Sequence, residues 1–161
     1  MSNYGLLDKE EKLNVISHGI GAILAIIGMI VLMQKNSYKS TYALLSITIY
    51  SLTLISMFAI STMYHAVINP DKKKGIRILD HINIYYLIAG TYTPVALISL
   101  VQENGWYIFF IVWGIAILGT ILKVFFTGKY EILSLLLYLI MGWLILTDFQ
   151  NLVSNTSEIG I

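Results

Sequence analysis

Three histidines, one serine and one aspartate carry most of the chemistry this chain can do. Ser61 and His65 lie four residues apart in "STMYHAV", on one stripe of a helix. A serine so placed can hydrogen-bond the imidazole and fix its tautomer. Glu11, Asn14 and His18 fall at i, i+3 and i+7, again along one stripe. Asp80 and His81 are adjacent, so their side chains leave a helix about 100° apart and do not easily address one point. Imidazoles and carboxylates are the side chains of general acid–base work and of metal ligation. Cysteine is absent, which removes disulfides, thiolate nucleophiles and Cys-based zinc sites. The chain has no Gly-rich phosphate loop, no G-x-S-x-G elbow and no H-E-x-x-H motif, so Ser61 has no nucleophile context.

The elements that must position these groups are apolar. Hydrophobic residues make up 57% of the 161 and charged residues 12%, about half the usual charged share of a soluble domain. Mean hydropathy is +0.77. A soluble domain of this size could not hide that much apolar surface, so the chain reads as an integral membrane protein. About 20 apolar residues cross a bilayer as a helix. Five spans meet that standard, at about 15–33, 41–68, 79–100, 105–126 and 131–147. The linkers are short, which makes neighbours antiparallel and predicts one all-α, up-down transmembrane bundle forming a single domain over 1–161. Residues 148–161 read as a polar, disordered tail. The first fourteen residues are polar and the run after them is of full membrane length, which predicts a retained helix and no cleavable signal peptide.

Eight of the ten Lys and Arg residues fall at one membrane face if the spans alternate; Lys35 and Lys39 fall at the other. The positive-inside rule then predicts a cytoplasmic N-terminus and, with five spans, an external C-terminus. His18, His65, Asp80 and His81 all fall at the predicted cytoplasmic end. Ionisable groups within a membrane are costly and usually face the bundle interior or a cavity. A net charge of +1 gives no footprint for a nucleic-acid partner; the expected partner is membrane lipid.

Each of these residues also has a structural reading. His18, His65 and His81 can be interfacial histidines, Ser61 a packing residue, and Asp80 an N-terminal cap of the third helix that favours its dipole. "DKKKGIR" reads as a positive-inside loop. Gly21, Ala25 and Gly28 form a small-residue stripe suited to close helix contact. Pro94 should kink the third helix by removing the bond to the Gly90 carbonyl, with Thr91 and Thr93 available to satisfy freed groups. Trp106, Tyr107, Tyr38, Tyr42 and Tyr130 read as interface anchors.

"EEKLNVISHGIGA", "STMYHAV" and "LDHINIYYLIAGTYTP", in this order and spacing, resemble the hemolysin III family, grouped with the progestin and adiponectin Q receptors. The resemblance runs from about Glu10 to "LYLIMGWLIL". It implies a seven-helix membrane fold with the N-terminus inside and a zinc ion near the cytoplasmic side. It places His65 as the second-helix zinc ligand, Ser61 beside it, and Asp80 as an acid close to a metal-bound water. Asn14 and His18 match the first-helix pattern. Zinc with one open position lowers the pKa of bound water towards ~7, and Asp80 would accept a proton as general base. The implied activity is hydrolysis of a lipid amide in the plasma membrane. Alternatives are a membrane-perturbing, pore-associated (cytolytic) protein and a non-catalytic, receptor-like or membrane-homeostasis protein.

The chain departs from the pattern in one respect. The family's two further zinc histidines form an H-x-x-x-H pair in the last helix, and no histidine follows His81 here. The expectation is a form about two helices short, impaired as an enzyme and binding zinc weakly or not at all. Completion of the ligand set by His18 and His81 is the remaining route within this chain.

Overall fold

The computed structural model describes residues 7–36, 40–126 and 129–157. Helices α1 (Lys9–Lys35), α2 (Ala43–Ala66), α3 (Pro70–Pro94), α4 (Gly105–Phe126), α5 (Glu131–Trp143) and α6 (Phe149–Ser157) follow in order. Among the described residues, five helical segments are long and apolar enough to cross a membrane, the last running from Glu131 through Asn155. The chain is thus an all-α polytopic membrane protein. Tyr38 and Lys39, counted above among the anchors and the positive charges, lie outside the described residues, as do 158–161.

Sequential helices pack as antiparallel neighbours, with α3 at the centre between α2 on one side and α4 and α5 on the other. Half of the most apolar window of α3 is buried, against 6% for α1. The core gathers on the inner face of α3 and its continuation: Tyr85, Ala89 and Tyr92, with Ala96 just beyond Pro94, pack with Ile108, Val112 and Ala116 of α4 and Met141 of α5. The outer faces carry exposed Ile, Leu, Val and Phe, as lipid requires. Gly119 lets α4 close on the ring of Tyr85, where any Cβ would collide.

The third helix begins nine residues before the sequence reading placed it. Asn69 caps it, its Oδ1 accepting from the N–H groups of Asp71 (3.0 Å) and Lys72 (3.1 Å), and Pro70 takes the first helical position. The run "DKKKGIR" is therefore helix, not loop. Lysine and arginine are good helix formers, and hydropathy alone put the boundary at the start of the apolar stretch. Asp80 consequently sits in the third turn and is not an N-terminal cap; the first-turn acid is Asp71.

Pro94 does not end the span. The chain continues as π-helix over Val95–Ser99, with the Leu100 N–H bonded to the Val95 carbonyl at 3.0 Å. Thr91 and Thr93 donate to the carbonyls of Ile88 (2.7 Å) and Ala89 (2.9 Å), not to that of Gly90. The expected polar tail is also corrected up to Ser157. A 3₁₀ turn over Leu144–Asp148 leads into α6, whose Asn155 donates to the Ser99 carbonyl at 2.9 Å.

Candidate functional site

Glu11 ties three helices together at one end of the bundle. Its Oε2 meets Nδ1 of His65 on α2 at 2.5 Å, and its Oε1 accepts from Nζ of Lys73 on α3 at 2.5 Å. Asp8 starts α1 just before it, accepting from the Glu11 N–H at 2.8 Å. The chain's antiparallel order brings the start of α1, the end of α2 and the start of α3 to one place.

A carboxylate oxygen only accepts, so in neutral His65 the Glu11 contact puts the proton on Nδ1 and leaves Nε2 an acceptor, with no hydrogen bond to it among the described residues. The ring is held further by stacking. His18 lies parallel to it, centroids 5.5 Å apart and planes 4° from parallel, and Tyr64 meets it edge-on at 4.9 Å. Lys73 also stands over the Tyr64 ring, 5.0 Å from its centroid. The result is an imidazole fixed in orientation and tautomer by a carboxylate, with one basic nitrogen open.

Other expected members are placed differently. Ser61 is buried at 4% exposure, but among the described residues it makes no hydrogen bond to His65; Glu11 does that work. The Asn14 backbone carbonyl accepts from Ser17 Oγ at 3.1 Å, a local bond within α1. Asp80 is half-buried, and its Oδ1 is enclosed without a hydrogen-bond partner among the described residues. By helical periodicity it lies on the stripe of Lys73, two turns further into the bundle, about 10 Å along the axis.

His81 belongs to a second cluster. Its Nδ1 is 4.0 Å from Oε2 of Glu131, which also accepts from Nζ of Lys123 at 2.6 Å. Lys123 is only 2% exposed. Tyr138 donates to the His81 carbonyl at 2.9 Å and packs on Tyr85 at 4.3 Å. The 100° divergence of Asp80 and His81 thus directs them to different neighbours.

Glu11 was on the predicted stripe with His18, yet its bridging role was not visible. Lys73 was hidden because its segment read as loop. The Lys123–Glu131 pair spans the α4–α5 turn and carried no motif.

Among the described residues, no three His, Asp or Glu side chains come together to hold a metal ion. His18 lies parallel to His65 with ring centroids 5.5 Å apart, and His81 lies with Glu131; among the described residues neither joins His65 in a three-donor group. Zinc does not fit the residues brought together here.

The haemolysin-III related family profile matches residues 8–160. The chain belongs to that family. Hemolysin-3 of Bacillus cereus is 41% identical over 153 residues, covering 94% of this chain and 70% of the relative. The hemolysin-3 homolog of Bacillus subtilis (strain 168) is 37% identical, covering 94% and 72%. The human monocyte to macrophage differentiation factor is 28% identical, covering 88% of this chain and 62% of its own length. No solved structure matches the chain. Both polar clusters of this hemolysin III-type protein lie within the matched span.

Proposed function

We propose that this hemolysin III-type protein acts on membrane lipid through the imidazole of His65, with hydrolysis of a lipid amide as the reaction. The observation that carries the reading is the Glu11–His65 pair: a carboxylate-oriented imidazole with Nε2 open, at one end of a membrane bundle. Such a nitrogen takes a proton from water as the oxygen attacks the amide carbonyl carbon; the C–N bond then breaks and the amine leaves with a proton. Asp80, whose enclosed Oδ1 has no partner among the described residues, is the second proton acceptor at this end. Ser61, buried on α2 one turn before His65, is a packing and polar neighbour of that histidine's helix end. The end in question is assigned to the cytoplasm of the plasma membrane, on the excess of Lys and Arg there.

The zinc that the family resemblance implies would draw on His65 and would need donors beyond those the described residues bring together. Membrane perturbation, which the name hemolysin denotes in the relatives, is the second reading; relatives at 37% and 41% identity favour keeping it under test.

The test is turnover of an N-acyl sphingoid lipid by the full chain in lipid nanodiscs, read as released fatty acid. Release that disappears in His65→Gln supports the reading. No release by the native chain, or release unchanged in that variant, refutes it. Dye leakage from liposomes that is equal in native and His65→Gln protein would favour membrane perturbation.

A further inference from the structure

The small-residue stripe of α1 does two different things. Gly21 abuts α2 so closely that a Cβ there would come within 2.7 Å of the Phe58 ring. Gly28, two turns on, has nothing within 4 Å of where its Cβ would be. The helices are clamped at Gly21 and stand apart at Gly28. Between them lies a groove of about 270 Å³ lined by Gly21, Ala25, Gly28, Ser51, Leu54 and Phe58 among others.

One polar residue, Ser51, lines this apolar groove. Ser51 is 1% exposed, and its Oγ has no hydrogen-bond partner among the described residues. It stands eight residues from the start of α2, about 12 Å along the axis, near the middle of a ~30 Å hydrocarbon layer. A hydrocarbon layer offers no hydrogen-bond partner of its own at that depth, and a buried hydroxyl left without one is unfavourable. The groove also opens sideways to lipid, since Leu24, Ile27, Val31, Leu32 and Leu52 around it are exposed. Phe58 separates it from His18, its ring centroid 6.0 Å from the imidazole.

We propose that this groove binds one acyl chain of a membrane lipid that carries a hydroxyl or carbonyl oxygen at mid-chain, received by Ser51. Gly28 supplies the width, Gly21 and Phe58 close one end, and Ser51 supplies the selectivity. The site is independent of the chemistry assigned to His65, and its test reads binding alone.

The test reconstitutes the full chain in bilayers containing a photoactivatable fatty acid with a mid-chain hydroxyl, and maps the cross-links by peptide mass spectrometry. The expected result is labelling concentrated on residues 21–32 and 50–58. Gly28→Leu should lower that labelling about tenfold by filling the groove. Ser51→Ala, nearly isosteric, should leave labelling by the unhydroxylated probe in place and remove a roughly fivefold preference for the hydroxylated one. Labelling spread evenly onto the exposed face of α4, or no preference for the hydroxylated probe in the native chain, overturns the proposal. So does a protein–protein cross-link through the groove in place of lipid, which would make it a helix-docking surface.

Discussion

Glu11 of α1 reaches across two helix interfaces and places its carboxylate on Nδ1 of His65 at 2.5 Å, while its other oxygen takes Nζ of Lys73. One side chain thereby fixes the ends of three helices and the tautomer of the imidazole.

Glu11→Gln should therefore weaken this end of the bundle as well as the imidazole's orientation. The three side chains are 18–26% exposed, so water screens part of the interaction, and a loss of about 1 kcal/mol is expected. Thermal unfolding in detergent measures it. Lys73→Met should cost less, because it leaves the His65 contact in place. An equal or larger loss for Lys73→Met would show that the histidine contact adds nothing.

The buried ammonium of Lys123 leads to an asymmetric prediction. Lys123 is 2% exposed, whereas the side chain of Glu131 is 42% exposed. Glu131→Gln leaves a nearly buried charge without this carboxylate and should cost about 3 kcal/mol. Lys123→Met leaves a carboxylate that water can reach and should cost clearly less. Unfolding midpoints in the reverse order would contradict the burial argument.

The two glycines of α1 should respond oppositely. Gly21→Ala drives a methyl into the Phe58 ring and should destabilise by roughly 1–3 kcal/mol. Gly28→Ala enters open space, and alanine is the better helix former by up to about 1 kcal/mol, so it should be neutral or stabilising. The same unfolding assay decides; equal losses would mean the helices touch along their whole length.

Orientation is open to direct labelling because the chain has no cysteine. Lys74 lies at the Glu11 end, exposed in the second turn of α3, and Glu103 lies in the exposed turn before α4. Single cysteines at these positions, probed in intact cells with an impermeant thiol reagent, should label at 103 and not at 74. The converse pattern would place the Glu11 end outside.

The spans were legible in the sequence because hydropathy follows directly from side-chain type; the fourth, at 105–126, coincides with α4. Their ends were less so. Lys72, Lys73 and Lys74 look like loop to a hydropathy scale, but Asn69 and Pro70 start a helix whatever the polarity that follows. Asp148 likewise marked the start of a tail by polarity, yet it is buried and bonded to Asn151 Nδ2 at 2.7 Å. At the site, His18 and His65 could be placed at one membrane end from span order alone. The partner of His65 could not. Ser61, one turn away, was the local choice, and Glu11, 54 residues distant, was brought there by the pairing of α1 with α2.

The most direct test of the central claim is the tautomer of His65. Nitrogen-15 NMR of histidine-labelled protein in lipid would be recorded at a pH well above the ordinary histidine range, with His18→Gln and His81→Gln variants assigning the signals. The account predicts that His65 carries its proton on Nδ1 in the native chain and shifts towards a mixture of tautomers in Glu11→Gln. A native His65 protonated on Nε2, or a tautomer indifferent to Glu11, would contradict it.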